Sequence, residues 1–152
     1  MVTVMATGTF DILHLGHIYF LKEAKKLGDK LVVVVALDST VRKLKHEPIN
    51  PEVIRVNLIK ELRLVDECYL GNENDMYAIV EKIKPDVIAL GFDQIHDEQK
   101  IKEELKKRGV TSKVTRLPKY EGREDLEGTR RIIRKIISAY EFQKMMERIE
   151  KE

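Results

Sequence analysis

Leu31-Val32-Val33-Val34-Val35-Ala36 is six apolar residues in succession, with no polar residue between them. A strand with one face in water alternates apolar and polar side chains; one covered on both faces has no reason to. The stretch therefore predicts a strand at the centre of a parallel sheet, with helices above and below. Upstream, Val2-Thr3-Val4-Met5-Ala6 is a second short β-branched run. Between the two, Ile18, Leu21, Ala24 and Leu27 recur at helical spacing among lysines, and Gly28 follows. That pattern is an amphipathic helix with a glycine stop.

The same rhythm continues downstream. Pro51 opens a predicted helix reaching Leu64, with proline at the tolerated first position. Glu67–Leu70 reads as a strand and Asp75–Ile83 as a helix, which Pro85 breaks before the strand Val87–Leu90. Glu98–Arg108 is helical and stops at Gly109, Lys113–Leu117 is a last strand, and Gly128–Glu152 is a long terminal helix striped by Ile132, Ile133, Ile136, Ile137 and Tyr140. Strand–helix alternation at this spacing predicts a Rossmann-like, doubly wound parallel α/β sheet of about five strands in a single domain. In such sheets ligands bind where strands end and loops open into helices.

Composition narrows the function. Among 152 residues, 28 Lys and Arg face 26 Asp and Glu, a net charge of +2, which argues against wholesale coating of nucleic acid or an anionic membrane. The single cysteine, Cys68, excludes an internal disulfide framework and a multi-cysteine zinc site. No apolar run approaches a membrane span, and Met1–Phe10 lacks a basic leader and a small-residue cleavage site, so a cytoplasmic location is expected. Abundant Lys and Glu beside one Cys suggest a hot-living source.

The chemistry concentrates after the first strand, in Thr7-Gly8-Thr9-Phe10-Asp11-Ile12-Leu13-His14-Leu15-Gly16-His17. Two histidines flank a glycine where a helix begins, a position whose free N–H groups and positive dipole end favour a phosphate. Gly8 and Gly16 lack a Cβ and let backbone approach a ligand. Imidazoles placed there can donate to phosphoryl oxygens as charge builds on them. Two other readings are an ordinary satisfied histidine pair in a turn and a metal site with Asp11 as third ligand. The dinucleotide fingerprint Gly-x-Gly-x-x-Gly is absent from this turn.

Gly8-Thr9-Phe10-Asp11 followed by His14-Leu15-Gly16-His17 resembles the signature of the cytidylyltransferase-like nucleotidyltransferase superfamily, which includes glycerol-3-phosphate cytidylyltransferases and the small archaeal FAD synthases. Class I aminoacyl-tRNA synthetases share a related element, but their Lys-Met-Ser-Lys-Ser loop is missing here. The resemblance implies that Gly8, Thr9, Phe10, Leu15 and Gly16 join His14 and His17 in binding the nucleotide, with Asp11 near the second substrate. It places Lys43 and Lys45, in the charged run after the central strand, over the triphosphate; a plain solvated run is the alternative. It also implies phosphate roles for Arg55 and Arg63, eight residues apart and so on one face of the predicted helix. Gly91-Phe92-Asp93-Gln94 matches the superfamily's Gly-x-Asp, whose aspartate contacts the nucleoside, with an Asx turn as the alternative.

Further on, Lys119-Tyr120-Glu121-Gly122 stands where cytidylyltransferases have Arg-Thr-Glu-Gly, and Gly128-Thr129-Arg130-Arg131 stands near their Ile-Ser-Thr-Thr. Thr129 is expected to meet a phosphate at a helix start, Tyr120 to stack on a nucleobase and Lys119 to face the second substrate. Tyr120 in place of threonine, Arg130 in place of a second hydroxyl and the extra residues Arg123–Glu127 depart from the cytidine pattern.

The implied reaction is attack by a phosphomonoester on the α-phosphorus of a nucleoside triphosphate, with pyrophosphate leaving. No general base is needed, because a phosphomonoester with its second pKa near ~6 is already a dianion at neutral pH. Alignment and positive charge are what such a site supplies. The expected substrates are ATP and FMN, with Mg²⁺ carried on the triphosphate and no tightly bound metal. The alternatives are a CTP-dependent enzyme acting on glycerol 3-phosphate and a nucleotide-binding regulator without turnover. The superfamily further implies a homodimer.

Overall fold

A computed structural model describes residues 1–44, 47–122 and 128–151. In chain order the elements are β1 (Thr3–Gly8), α1 (Leu15–Lys25), β2 (Lys30–Val35), α2 (Asp38–Lys43), α3 (Glu52–Lys60), β3 (Glu67–Leu70), α4 (Ala78–Ile83), β4 (Val87–Leu90), α5 (Glu98–Lys107), β5 (Lys113–Arg116) and α6 (Thr129–Ile149). The strands form one five-stranded sheet in the order β3-β2-β1-β4-β5. Every pairing is parallel.

The alternation of side chains along the strands sorts the core into two layers. Val4 and Ala6 of β1, Leu31, Val33 and Val35 of β2 and Ala89 of β4 pack with Leu21 and Ala24 of α1 and Val56 and Ile59 of α3. Met5, Val34, Ile88 and Leu90 point to the other face, against Val80 of α4 and Ile101 and Leu105 of α5. Leu21, Leu31 and Ile59 are wholly buried, and each such side chain contributes about 1.5–3 kcal/mol. The doubly apolar run at 31–36 is thus covered on both faces as its composition demands. It is not the middle strand: β1 is, with β2 between it and the edge strand β3.

Three boundaries differ from the sequence reading. The helix predicted through Leu64 ends at Lys60, and Leu62, Leu64 and Val65 reach the core from tight turns. Its apolar spacing is satisfied by turn geometry instead of a continuing helix. Arg63 therefore lies in the turn before β3, exposed, at the opposite end of the sheet from the strand C-termini. It does not share a helical face with Arg55. Second, the charged run after β2 contains a helix, α2, which buries only Val41 and whose Asp38 N–H donates to the distant Glu52 carboxylate at 2.6 Å. Local pattern could not announce it. Third, the two glycine stops work differently. Gly109 has φ +68°, the left-handed cap. At Gly28 an added Cβ would come within 2.6 Å of the Val2 carbonyl oxygen, so that glycine serves close packing.

The strand order reverses between β1 and β4, so the crevice at their carboxyl ends is the sheet's switch point. Among the described residues, no helix is long and apolar enough to cross a membrane.

Candidate active site

The loop leaving β1 enters the crevice through an unusual backbone. Phe10 and Ile12 have φ of 53° and 49°, left-handed values that cost non-glycine residues about 1–2 kcal/mol each. Burial holds Phe10 there. The Phe10 ring is 3% exposed and folds back over Gly8, where an added Cβ would stand 2.8 Å from it. The bare face of Gly8 therefore accommodates Phe10 and not a ligand, and Phe10 is core, packed edge-on against His17 at 5.4 Å and beside Phe20. Main-chain groups are therefore what these two residues have to offer a nucleotide.

Asp11 is likewise a strut. Its two carboxylate oxygens accept from the Ile49 N–H at 2.6 Å and the Asn50 N–H at 2.9 Å, and its carbonyl accepts from the Thr129 hydroxyl at 2.7 Å. One residue so ties the β1 loop to the approach to α3 and to the start of α6. Both carboxylate oxygens are thus engaged in holding the loop. Among the described residues, no three His, Cys, Asp or Glu side chains are grouped to hold an ion.

Arg55 is the largest correction. It is wholly buried, and its guanidinium donates to the carbonyls of Asn50 (2.9 Å), Thr9 (2.8 Å) and Ala36 (2.8 Å) and to the Asp38 carboxylate (2.7 Å). Four of its N–H groups being occupied, with no surface exposed, it clamps the loops after β1 and β2 instead of meeting a phosphate.

That scaffold presents the histidines. His14 is the N-cap of α1, its Nδ1 accepting from the His17 N–H at 3.4 Å. An accepting Nδ1 places the proton of the neutral ring on Nε2. The two imidazoles stack at 3.7 Å between centroids, 22° apart. Burial, then the neighbouring His14, lowers the His17 pKa from 6.5 to about 3, so its ring stays neutral across the physiological range. Among the described residues, its buried Nδ1 has no hydrogen-bond partner. Leu15 and Gly16 open α1, whose first turn holds no acidic residue. The positive end of the helix dipole favours an anion there.

Across the crevice, the β4 loop carries Gly91, Phe92, Asp93 and Gln94. Asp93 and Phe92 are exposed. Gln94, expected at the nucleotide, is spent inside the fold: its Oε1 accepts from the Gly91 N–H at 3.1 Å and its Nε2 donates to the Thr7 carbonyl at 2.6 Å. Lys119 lies 5.7 Å from the centroid of the Phe92 ring. Tyr120 packs against Tyr19 at 5.2 Å. Lys43 is exposed at the end of α2, while Lys45 falls outside the described residues, as do Arg123–Glu127. The sequence reading missed Arg116, the last residue of β5, which binds the β4 loop; a basic residue at a strand's carboxyl end was the available signal.

A doubly wound sheet with an anion-seeking helix terminus at its switch point defines a nucleotide-handling α/β protein. Residues 5–136 match the cytidylyltransferase-like family model, and the chain belongs to that family. It is similar to the protein named FAD synthase of Aciduliprofundum boonei, 59% identical over 90% of this chain and 91% of the relative. The FAD synthase of Methanothermobacter thermautotrophicus is 52% identical over 91% of this chain and 93% of its own length. A crystal structure from Thermoplasma volcanium, titled a lipopolysaccharide core biosynthesis protein, superposes with a TM-score of 0.78 at 55% identity, covering 80% of this chain and 99% of that one.

Proposed function

We propose that the protein is a nucleotidyltransferase that makes FAD, joining AMP from ATP to FMN. The names of its archaeal relatives support this reading, and the stacked histidine pair at the N-terminus of α1 is the structural observation that carries it. A phosphate oxygen of FMN attacks the α-phosphorus of ATP, the bond to the β-phosphate breaks, and pyrophosphate leaves. FMN arrives as a dianion, so no protein base takes a proton. His14 Nε2–H, the neutral His17 ring and the amides of Leu15 and Gly16 stabilise charge on the phosphoryl oxygens. Lys43 draws the triphosphate, Gly91 and Asp93 hold the ribose, Tyr120 edges the base and Lys119 approaches FMN. Thr129, whose hydroxyl donates to the Asp11 carbonyl, ties the start of α6 to the β1 loop, and the N–H groups of that helix start meet phosphate. Arg55 and Asp11 position this machinery. Mg²⁺ accompanying the triphosphate would be held mainly by phosphate oxygens and water and would supply charge neutralisation.

The proposal extends to a cytoplasmic homodimer. The dimer is supported by α6, 21 residues with none buried, whose Ile136, Ile137, Tyr140 and Phe142 are all more than half exposed. Pyrophosphate release with ATP plus FMN, against CTP plus glycerol 3-phosphate, tests the reaction. FAD formation with the first pair is the expected result; release only with the second would assign the cytidylyl reaction instead.

A further inference from the structure

The β4 loop turns three main-chain carbonyls toward one side chain. Arg116 Nη1 donates to Gly91 O at 2.8 Å and Gln94 O at 2.9 Å, and its Nη2 donates to His96 O at 2.7 Å. Its Nε reaches the Glu98 carboxylate at 3.1 Å, at the start of α5. Only a guanidinium carries enough donors, in a fixed plane, to serve this many acceptors together. On its other side the loop is tied to β1 by Gln94, through Thr7. Gly91 and Gln94 are thus each held by more than one hydrogen bond, and Phe92 and Asp93 are the exposed pair strung between them.

We propose that Arg116 is a positioning residue for nucleotide binding: it holds the Phe92–Asp93 tip in the shape that receives the nucleoside, and it takes no part in phosphoryl transfer. This rests on the reading of the β1–β4 crevice as the ATP site. Asp93 lies next to anchored Gln94 and two residues from anchored Gly91, so the frame sets where its backbone runs. Preorganising a loop before the ligand arrives removes an ordering cost from binding, whereas the histidines on the opposite side of the crevice are left as they were. The effect belongs in the nucleotide's affinity. Lysine cannot replace the fork, having a point charge without its planar geometry.

Arg116→Met and Arg116→Lys test this, with steady-state rates taken while ATP and FMN are varied separately. Calorimetry with a non-hydrolysable ATP analogue, without FMN, supplies the second readout. Expected for Arg116→Met is a KM for ATP and an analogue Kd each raised about tenfold, with kcat and the KM for FMN near wild type. Added guanidinium ion should restore part of the affinity in Arg116→Met, and Arg116→Lys should remain impaired. Unchanged analogue affinity, or a fall in kcat at constant KM for ATP, overturns the assignment. So does an equal rise in both KM values, which marks a general loss of structure. Should the wild type make no FAD, the functional reading fails, while the calorimetric comparison still decides the role of Arg116.

Discussion

Arg55 and Arg116 perform the same task on opposite sides of the switch point, and they differ in how much water they see. Each donates to three main-chain carbonyls and one carboxylate. The Arg55 side chain is 0% exposed and that of Arg116 30%. A buried clamp cannot be exchanged for solvent, so the β1–β2 side is a rigid frame that presents the histidines. A half-wet clamp can be, so the β4–β5 side is the adjustable wall. Arg55→Ala is the severest test of that contrast, because it strands three carbonyls and the Asp38 carboxylate. It should cost about 3–5 kcal/mol, the range for breaking a buried pair from one side. In a chain of this size that lowers Tm by roughly 10 °C. A loss of only a degree or two by calorimetry would make the two clamps equivalent.

His17→Ala sharpens the contrast from the other direction, since it removes what the rigid side presents and leaves the frame alone. Turnover should fall by about 10²–10³, the usual cost of one donor to a developing phosphoryl charge, with Tm changed little. Near-normal kcat would move the chemistry elsewhere. The depressed pKa adds a stability signature. Between about 3 and 6.5 the unfolded chain protonates His17 and the folded one does not. The unfolded state then binds more protons, so this group's contribution to stability falls as pH drops through that window and is complete above 6.5. Urea midpoints from pH 4 to 7 should show a shallower decline in His17→Ala than in wild type. Parallel curves would mean that the imidazole is not buried neutral.

The sequence disclosed the rigid frame's purpose better than its parts. Strand–helix alternation located the five strands of the sheet: apolar runs marked β1, β2 and β4, and the rhythm of intervening helices placed the more polar β3 and β5. The histidine loop announced itself through residue types rare elsewhere in the chain. What stayed hidden were roles decided by distant partners. Asp11 looks like a ligand residue until Ile49 and Asn50, 38 and 39 positions on, occupy both its oxygens. Arg55 looks like a phosphate contact until the carbonyls of Thr9 and Ala36 close around it. Charged residues near a site divide into those that face the ligand and those that hold the walls, and only tertiary hydrogen bonding separates them. Gly8 teaches the same lesson in steric form, its open face being filled by Phe10 from two residues away.

The smallest effect expected is on the stability of Arg116→Met, and it is the one that can break the comparison. Carbonyls beside a partly exposed guanidinium can take water when the side chain is lost, which keeps most of their hydrogen bonding. Its ion pair with Glu98 is similarly screened, both side chains being about one-third exposed. The loss should therefore be about 1 kcal/mol, roughly a quarter of that for Arg55→Ala. Hydrogen exchange should localise the change, speeding at 91–97 while the amides of β1 and α1 keep their protection. If exchange also accelerates at Thr7 and Gly8, the Gln94 tie transmits the disturbance, and the wall and the frame are one mechanical unit. Protection kept on β1 would mean that nucleotide affinity can be tuned at the wall without moving the histidines.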